Sequence, residues 1–222
     1  LGTKVTVVEM TKALLPGADR DLVSVLKRRL DKKFDRILLN TKVAELKATK
    51  KAVTVTLEDK KGETTQEKFA KVLIAIGRRP NTGNLGLDNT KIEVDDKGFV
   101  VVDGQRRTAE SHIFAIGDIA GEPMLAHKAY GEAGVAAEAA AGQKAQYDPR
   151  AVPAVVFTDP EVAWCGLTET EARERKIKVK TAKLPWRGNG RTLTLGRDDG
   201  ITKIITDPET DRVLGVAVAG PG

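Results

Sequence analysis

The 222-residue sequence has a single cysteine, Cys165, so no disulfide can form within it. Aromatic residues make up only 4% of the chain. No apolar run approaches the length of about 18 residues that a membrane-spanning helix needs. Lysine and arginine number 37 against 31 acidic residues, which gives a net charge of +6. Because the basic residues are scattered among acids and few aromatics accompany them, we expect no nucleic acid as a partner. Because a long apolar run is lacking, we expect no membrane as a partner either.

The sequence also begins without an initiator methionine or a signal-peptide pattern. Its first residues, Leu1 to Lys4, run directly into an apolar stretch, so we expect the chain to start inside a fold. With 41% hydrophobic and 31% charged residues, the composition is that of a globular protein with a substantial core.

The first third of the chain has the pattern of an α/β unit. Val5 to Glu9 predicts a buried strand that ends in an acid, and Asp19 is placed to cap a helix whose apolar residues recur at helical spacing up to Phe34. A short strand follows at 37–39. Strands at 43–46, 53–57 and 68–76 predict a small antiparallel meander inserted into a parallel sheet. Within the last of them, 72–76 is apolar throughout, as in a strand covered on both faces.

Two predicted strands end in the same tripeptide, at 75–77 and at 115–117, which suggests equivalent closing strands of two nucleotide-binding units. The second strand, 112–116, stops at Gly117 and is followed by a carboxylate, Asp118. An alanine- and glycine-rich helix is predicted from Ala126 to Gly142. Open α/β sheets bind ligands beyond the carboxyl ends of their strands, where Asp118 could accept hydrogen bonds from sugar or ribitol hydroxyls. The helix amino terminus suits an electron-rich ring or an anion.

The last third of the chain changes character after a linker at 147–150. A strand is predicted at 152–157 and continues at 162–166. Thr168 and Glu171 have the spacing of a capping box, so a helix is expected from Glu169 to Lys176. Further strands near 177–184, 201–206 and 213–218 predict an α+β unit with a mainly antiparallel sheet.

Glu9 is the candidate residue for binding a dinucleotide. A carboxylate at the end of a Rossmann strand can bond the adenosine ribose hydroxyls of NAD and would repel the 2′-phosphate of NADP. Strands also end in charged residues for no functional reason, and the glycine-rich loop that precedes such a strand is not in this sequence.

Four segments, 77–81, 113–118, 123–128 and 159–164, together resemble the pyridine nucleotide-disulfide oxidoreductases, and within them the dihydrolipoyl dehydrogenases. The resemblance covers essentially the whole chain. It implies an α/β fold with the later half of a Rossmann-like NAD domain at 1–80 and a central flavin-side segment at 81–150. The first half of an α+β dimerisation domain, with an antiparallel sheet, would occupy 151–222.

The resemblance also implies the cofactors FAD and NAD and the residues that bind them, with no metal. For NAD these are Glu9, Val43, Ala75, Ile76, Gly77 and Arg78. For FAD they are Gly117, Asp118, Met124, Leu125, Ala126 and His127, with Asp118 on the ribitol chain and the Ala126 backbone at the pyrimidine edge.

The activity implied by the resemblance is oxidation of protein-bound dihydrolipoamide through a redox disulfide and FAD to NAD. It is performed by a homodimer that works with a lipoyl-bearing acyltransferase in 2-oxo acid dehydrogenase complexes. A bacterial cytoplasm is favoured over a mitochondrial matrix. The family's CxxxxC disulfide and its His-Pro catalytic histidine do not occur in this sequence, since neither His112 nor His127 precedes a proline. We therefore expect no catalytic residue within it, and no activity from these 222 residues alone.

Two alternatives remain open. The first is another flavin disulfide reductase, similar to mercuric reductase, a soluble transhydrogenase or glutathione reductase. The second is a non-catalytic fragment that acts as a binding or dimerisation module. Glu9 argues against the members that use NADP.

Overall fold

A computed structural model describes residues 2–221. The chain forms two compact units. The first unit comprises the described residues up to Leu73 together with those from Pro153 onward, and the second unit is Ile74–Val152. In chain order the elements are β1 (Thr6–Val8), α1 (Arg20–Lys33), β2 (Arg36–Leu38), β3 (Lys42–Ala48), β4 (Val53–Glu58), β5 (Thr64–Phe69), α2 (Ala126–Ala140), β6 (Ala154–Val156), β7 (Glu161–Gly166), α3 (Glu169–Glu174), β8 (Lys180–Pro185), α4 (Gly190–Thr194), β9 (Ile201–Thr206) and β10 (Val213–Gly220).

The first unit begins with the strand–helix–strand arrangement expected from the sequence. β1 and β2 pair in parallel, with Val7 opposite Ile37. α1 joins the two strands and ends where the Phe34 N–H donates to the carbonyl of Leu30. β3, β4 and β5 then form a three-stranded antiparallel sheet, as predicted, but its third strand lies at Thr64–Phe69 and not at 68–76.

The core of the first unit lies between α1 and a five-stranded antiparallel sheet with the strand order β6-β7-β10-β9-β8. Leu22 and Leu26 of α1 are buried against Val162 of β7 and Ala217 and Ala219 of β10. These α1 residues recur at helical spacing and form one apolar stripe, so burying that stripe fixes the helix on the sheet.

Asp19 differs from its expected role. It occupies the N-cap position of α1, but its side chain makes no capping hydrogen bond to that helix. Its carboxylate instead accepts the backbone N–H groups of Glu169 and Thr170, at 3.0 and 3.1 Å, at the start of α3. Asp19 therefore satisfies donors of a helix about 150 residues further along the chain.

The capping box of α3 is present as the sequence predicted. The Thr168 hydroxyl accepts the Glu171 N–H at 3.1 Å, and the Glu171 carboxylate accepts the Thr168 N–H at 2.9 Å. Since Asp19 already satisfies two other N–H groups of this short helix, the Thr168→Ala variant loses only one cap. We expect its free energy of unfolding to fall by about 1 kcal/mol, measured by denaturant titration. The exposed Thr65→Ala substitution is the control, and an equal effect of both would contradict this account.

The predicted buried strand at 72–76 is wrong. The structure has no strand there; β5 ends at Phe69, and Leu73 and Ile76 are 90% and 95% exposed. No strand within the described residues pairs with this stretch, so nothing satisfies its backbone as a strand or covers its side chains.

The second unit is built around α2, whose start at Ala126 was predicted. The preceding strand prediction at 112–116 is wrong, since only Phe114 makes a bridge, to Arg107. Gly117–Ile119 is a single 3₁₀ turn. Here too the described residues supply no neighbouring strand to pair with the stretch.

Within residues 2–221, no helix combines the length and the apolarity that are needed to cross a bilayer.

Candidate cofactor-binding sites

The turn that contains Gly117 and Asp118 is the centre of the candidate flavin site in the second unit. Gly117 is buried and has a φ of +76°, which a residue with a side chain rarely adopts. A Cβ at this position would also lie 3.3 Å from the Cβ of Ala129 on α2. The glycine therefore lets the chain turn tightly against α2 and leaves the next side chain, Asp118, about half exposed (49%).

A buried ionic network on α2 holds this turn. The Gly117 N–H donates to Glu132 Oε2 at 2.7 Å, and Lys128 Nζ donates to the carbonyls of Gly117 (3.2 Å) and Gly121 (3.0 Å). Glu132 Oε1 lies 3.0 Å from both Lys128 Nζ and Arg106 Nη1. The side chains of Lys128 and Glu132 are 4% and 0% exposed, so the charges are paired with one another rather than with water.

Arg78 lies beside two of the predicted flavin residues, although the resemblance assigned it to NAD. Its Nη1 is 3.6 Å from Asp118 Oδ2 and donates to the carbonyl of Met124 at 3.1 Å. An open cleft of about 560 Å³ is lined by Arg78, by Met124 and by the two residues that precede Met124, Glu122 and Pro123. The ion pair is largely exposed, so it contributes little to stability and leaves both side chains accessible to a ligand.

The remaining predicted flavin residues form the start of α2. Leu125 is its N-cap residue and makes no side-chain capping bond. Ala126 and His127 are the first two helical residues, and both are exposed. The positive end of the helix dipole therefore lies in this exposed stretch, a few residues after Asp118.

This set of groups fits a flavin nucleotide. It offers an exposed carboxylate as acceptor for ribityl hydroxyls, and a helix start without a side-chain cap as donor to the oxygens and nitrogens of the ring. The other residues predicted for NAD in this unit, Ala75, Ile76 and Gly77, are exposed and lie outside any helix or strand.

Glu9 and Val43, the predicted NAD residues of the first unit, lie on different elements. Glu9 follows the end of β1, and its Oε1 accepts the Thr11 N–H at 2.7 Å. That hydrogen bond orients the carboxylate, and no donor within residues 2–221 reaches its other oxygen. Val43 is 42% exposed on β3, where a bulge interrupts the pairing with β4.

Two models of one protein family match the sequence. The family model described as pyridine nucleotide-disulphide oxidoreductase matches residues 1–133, and the dimerisation-domain model of the same family matches 152–222. The chain belongs to the pyridine nucleotide-disulphide oxidoreductases. Its membership agrees with the resemblance found in the sequence and with the α/β fold.

Several individual proteins are similar to the chain over almost its whole length. The chain is 46% identical to the dihydrolipoyl dehydrogenase of Vibrio parahaemolyticus over 99% of its own length and 46% of that protein. Among solved structures, LpdA from Mycobacterium tuberculosis shares 31% identity at a TM-score of 0.86, over 99% of this chain and 47% of that one. The flavoprotein disulfide reductase RclA from Escherichia coli shares 29% identity at a TM-score of 0.89, over 99% and 50%.

The chain thus spans about half the length of the relatives it matches. Dihydrolipoyl dehydrogenases of this family use FAD and NAD, the two cofactors expected from the sequence. The family's dimerisation model covers the segment that contains β6 to β10. The role of each predicted site residue remains a prediction, as does the division of the chain at residues 80 and 150.

Sequence reasoning missed Lys128 and Glu132. It treated the start of α2 as a binding surface and assigned no role to these two charged residues. The available signal was their spacing of four residues, which places a cation and an anion on one face of a helix. That spacing usually marks an exposed pair, so it gave no indication of burial against Gly117.

A second cluster of charges lies in the first unit. Carboxylate oxygens of Asp19, Asp21 and Glu169 lie within 4.8 Å of one another, a spacing that could hold a metal ion. The fully buried Lys203 ammonium already occupies this position and pairs with all three carboxylates. We therefore assign the cluster to Lys203 and not to a metal.

Proposed function

We propose that these residues form the NAD-binding and flavin-binding parts of a dihydrolipoyl dehydrogenase, together with part of its dimerisation domain. The observation that supports this most strongly is the 46% identity to a dihydrolipoyl dehydrogenase over 99% of the chain. The exposed Asp118 carboxylate beside the uncapped start of α2 supports it independently, because it offers the groups that a flavin nucleotide needs.

In this function Asp118 binds the ribityl hydroxyls, and the start of α2, from Met124 to His127, binds the polar edge of the ring. Glu9 binds the adenosine ribose of NAD, with Val43, Arg78 and the 75–77 segment as further contacts. The flavin supplies the transfer of electrons between a dithiol and NAD. The chain's own residues hold and orient the cofactors, since the sequence contains one cysteine and no His-Pro pair.

The remaining parts of the proposal concern partners and location. The protein acts as a homodimer through the domain that begins near residue 151, and it serves a lipoyl-bearing acyltransferase of a 2-oxo acid dehydrogenase complex. It works in a bacterial cytoplasm. The 222 residues alone are inactive.

The experiment uses the protein as its own cells make it, with a matched set of substrates. We expect reduction of NAD by dihydrolipoamide to exceed reduction of NADP. Mercuric-ion reduction, reduction of glutathione disulfide, and transfer of hydride between NADH and NADP, the reactions of the alternative family members, are the comparison assays. A preference for NADP, or a faster reaction in any comparison assay, would overturn the proposal in favour of another flavin disulfide reductase. A chain that binds neither cofactor would favour the non-catalytic module.

Two single substitutions test the assigned residues separately. Asp118→Ala is expected to raise the FAD dissociation constant about tenfold or more, since it removes a charged acceptor of hydrogen bonds, and to leave NAD binding unchanged. Glu9→Ala is expected to weaken NAD binding by a similar factor and to leave FAD binding unchanged.

Fluorescence titrations of each cofactor measure both constants. Asp96→Ala and Glu174→Ala are the controls, because both carboxylates are exposed in the second and first unit respectively. If either site variant weakens both cofactors equally, the residue acts through folding and its assignment fails.

A further inference from the structure

Side chains of α2 form hydrogen bonds with both backbone polar groups of Gly117. Its N–H donates to Glu132 Oε2 at 2.7 Å, and its carbonyl accepts from Lys128 Nζ at 3.2 Å. The carbonyl of Gly117 belongs to the peptide unit that contains the N–H of Asp118. Fixing both atoms fixes the orientation of the peptide planes before and after Gly117, and therefore the direction in which Asp118 leaves the backbone.

Stability alone does not explain why the ion pair of Lys128 and Glu132 is buried. Glu132 is 0% exposed and Lys128 4%, so two charges are removed from water inside the second unit. Buried ion pairs are often no more stabilising than apolar residues of the same size. An apolar pair at these positions would pack equally well against the turn, but it would leave Gly117 without its two hydrogen-bond partners.

The third charge of the network links the turn to a separate loop. Arg106 lies 3.0 Å from Glu132 Oε1, and its guanidinium stacks over the Tyr147 ring at 5.1 Å from the ring centroid. Arg106 therefore orients the Glu132 carboxylate so that Oε2 points at the Gly117 N–H. Lys128 reaches past Gly117 to the carbonyl of Gly121 at 3.0 Å, which fixes the exit of the turn as well.

We propose that Glu132 and Lys128 are positioning residues, which aim the Asp118 carboxylate at the flavin by holding Gly117 from both sides. This inference rests on the proposed function, since it takes Asp118 to be a flavin contact. Neither residue touches the cofactor. Both act through the backbone of the turn.

The test compares two variants in the protein as its cells make it. Lys128→Met removes the donor to both carbonyls and leaves Glu132 paired with Arg106. Glu132→Gln keeps an oxygen that can accept the Gly117 N–H but loses the charge that orients it. We expect Lys128→Met to raise the FAD dissociation constant about tenfold, as for loss of a hydrogen bond from a charged group, with NAD binding unchanged. Glu132→Gln should give a smaller increase and a changed visible circular dichroism of the bound flavin.

Two controls separate positioning from general destabilisation. Lys144→Met and Glu138→Gln make the same chemical changes at exposed positions of the same unit and should bind FAD normally. Asp118→Ala serves as the reference for loss of the flavin contact. If Asp118→Ala weakens FAD binding and both network variants bind FAD with unchanged affinity and dichroism, the positioning role is wrong and the proposed function stands.

Two further outcomes decide between the flavin assignment and the positioning role. If Asp118→Ala itself leaves FAD binding unchanged, the flavin assignment fails first. If Lys128→Met does not fold, Glu132→Gln decides, because its amide nearly matches the shape of the carboxylate. A folded Glu132→Gln protein with the FAD affinity and the flavin dichroism of the unsubstituted protein overturns the inference.

Discussion

Replacing Lys203 by methionine is expected to lower the free energy of unfolding by about 3–5 kcal/mol, the cost of removing one partner from a buried ion cluster. Lys203 is fully buried, and its Nζ lies 2.7 Å from Asp19 Oδ2 and 3.1 Å from Asp21 Oδ1, with Glu169 also in contact. Without the ammonium, three carboxylates remain close together, and among the cations of residues 2–221 only Lys183 bridges two of them.

The sign of the pH dependence follows from the pKa shifts. Burial raises the pKa of Asp19, but the hydrogen bonds from Lys203 and from the Glu169 backbone outweigh it, so the net pKa lies below the usual 3.8. Its stabilising contribution is therefore present above pH 3.8 and is lost as the pH falls through the lowered value. Burial lowers the pKa of Lys203, but its carboxylate partners outweigh this and raise it above 10.5, so that contribution is lost only as the pH rises through the raised value.

The pH dependence of stability distinguishes a loss of charge from a loss of packing in the Lys203→Met variant. The difference in stability between the variant and the unsubstituted protein should be largest near neutral pH and should shrink in acid, where the crowded carboxylates of the variant take up protons. Denaturant titrations at several pH values measure it, with the exposed Lys178→Met as control. Adding Glu169→Gln to the variant should restore part of the loss. A loss that does not depend on pH would mean that packing, and not charge, explains the effect.

Several elements that the sequence predicted have their partners nearby in the chain. The meander of β3 to β5, apart from the bounds of its third strand, and the capping box of Thr168 need only neighbours within a few tens of residues, so period and turn chemistry suffice. The apolar stretches at 72–76 and 113–116 have strand composition, but a strand also needs a neighbour. Composition cannot supply it, and the described residues contain none.

In the candidate flavin site, too, the sequence revealed local patterns but not the contacts between distant residues. Gly117 and Asp118 were found because a glycine and an acid after an apolar run form a local pattern. The groups that hold this turn, Lys128 and Glu132, lie 11 and 15 residues further on and face inward. Asp19 is the extreme case, since its partners Glu169 and Lys203 are separated from it by most of the sequence. Long-range ion pairs leave no period in the sequence, so only the fold shows them.

The Gly215→Ala substitution is expected to lower the free energy of unfolding by about 3 kcal/mol, as for overpacking at a site that cannot relax. Gly215 is buried in β10 where the pairing with β9 shifts register, and a Cβ there would collide with the carbonyl of Leu167. Backbone atoms held by the sheet cannot move aside as a flexible side chain can, because the Leu167 N–H is bonded to the carbonyl of Leu214 at 2.9 Å. The strand would have to separate from the β7 side of the sheet.

The Gly188→Ala variant is the matched control, since a Cβ at that exposed glycine meets no atom within 4 Å. It should change the free energy of unfolding by less than about 0.5 kcal/mol, the usual range for surface substitutions. Because Gly215 lies in the segment that matches the family's dimerisation domain, the Gly215→Ala loss should be accompanied by weaker self-association in sedimentation experiments. Equal stability of the two variants would mean that β10 can shift away from Leu167, and that the close approach of these backbones is not what fixes the register of the sheet.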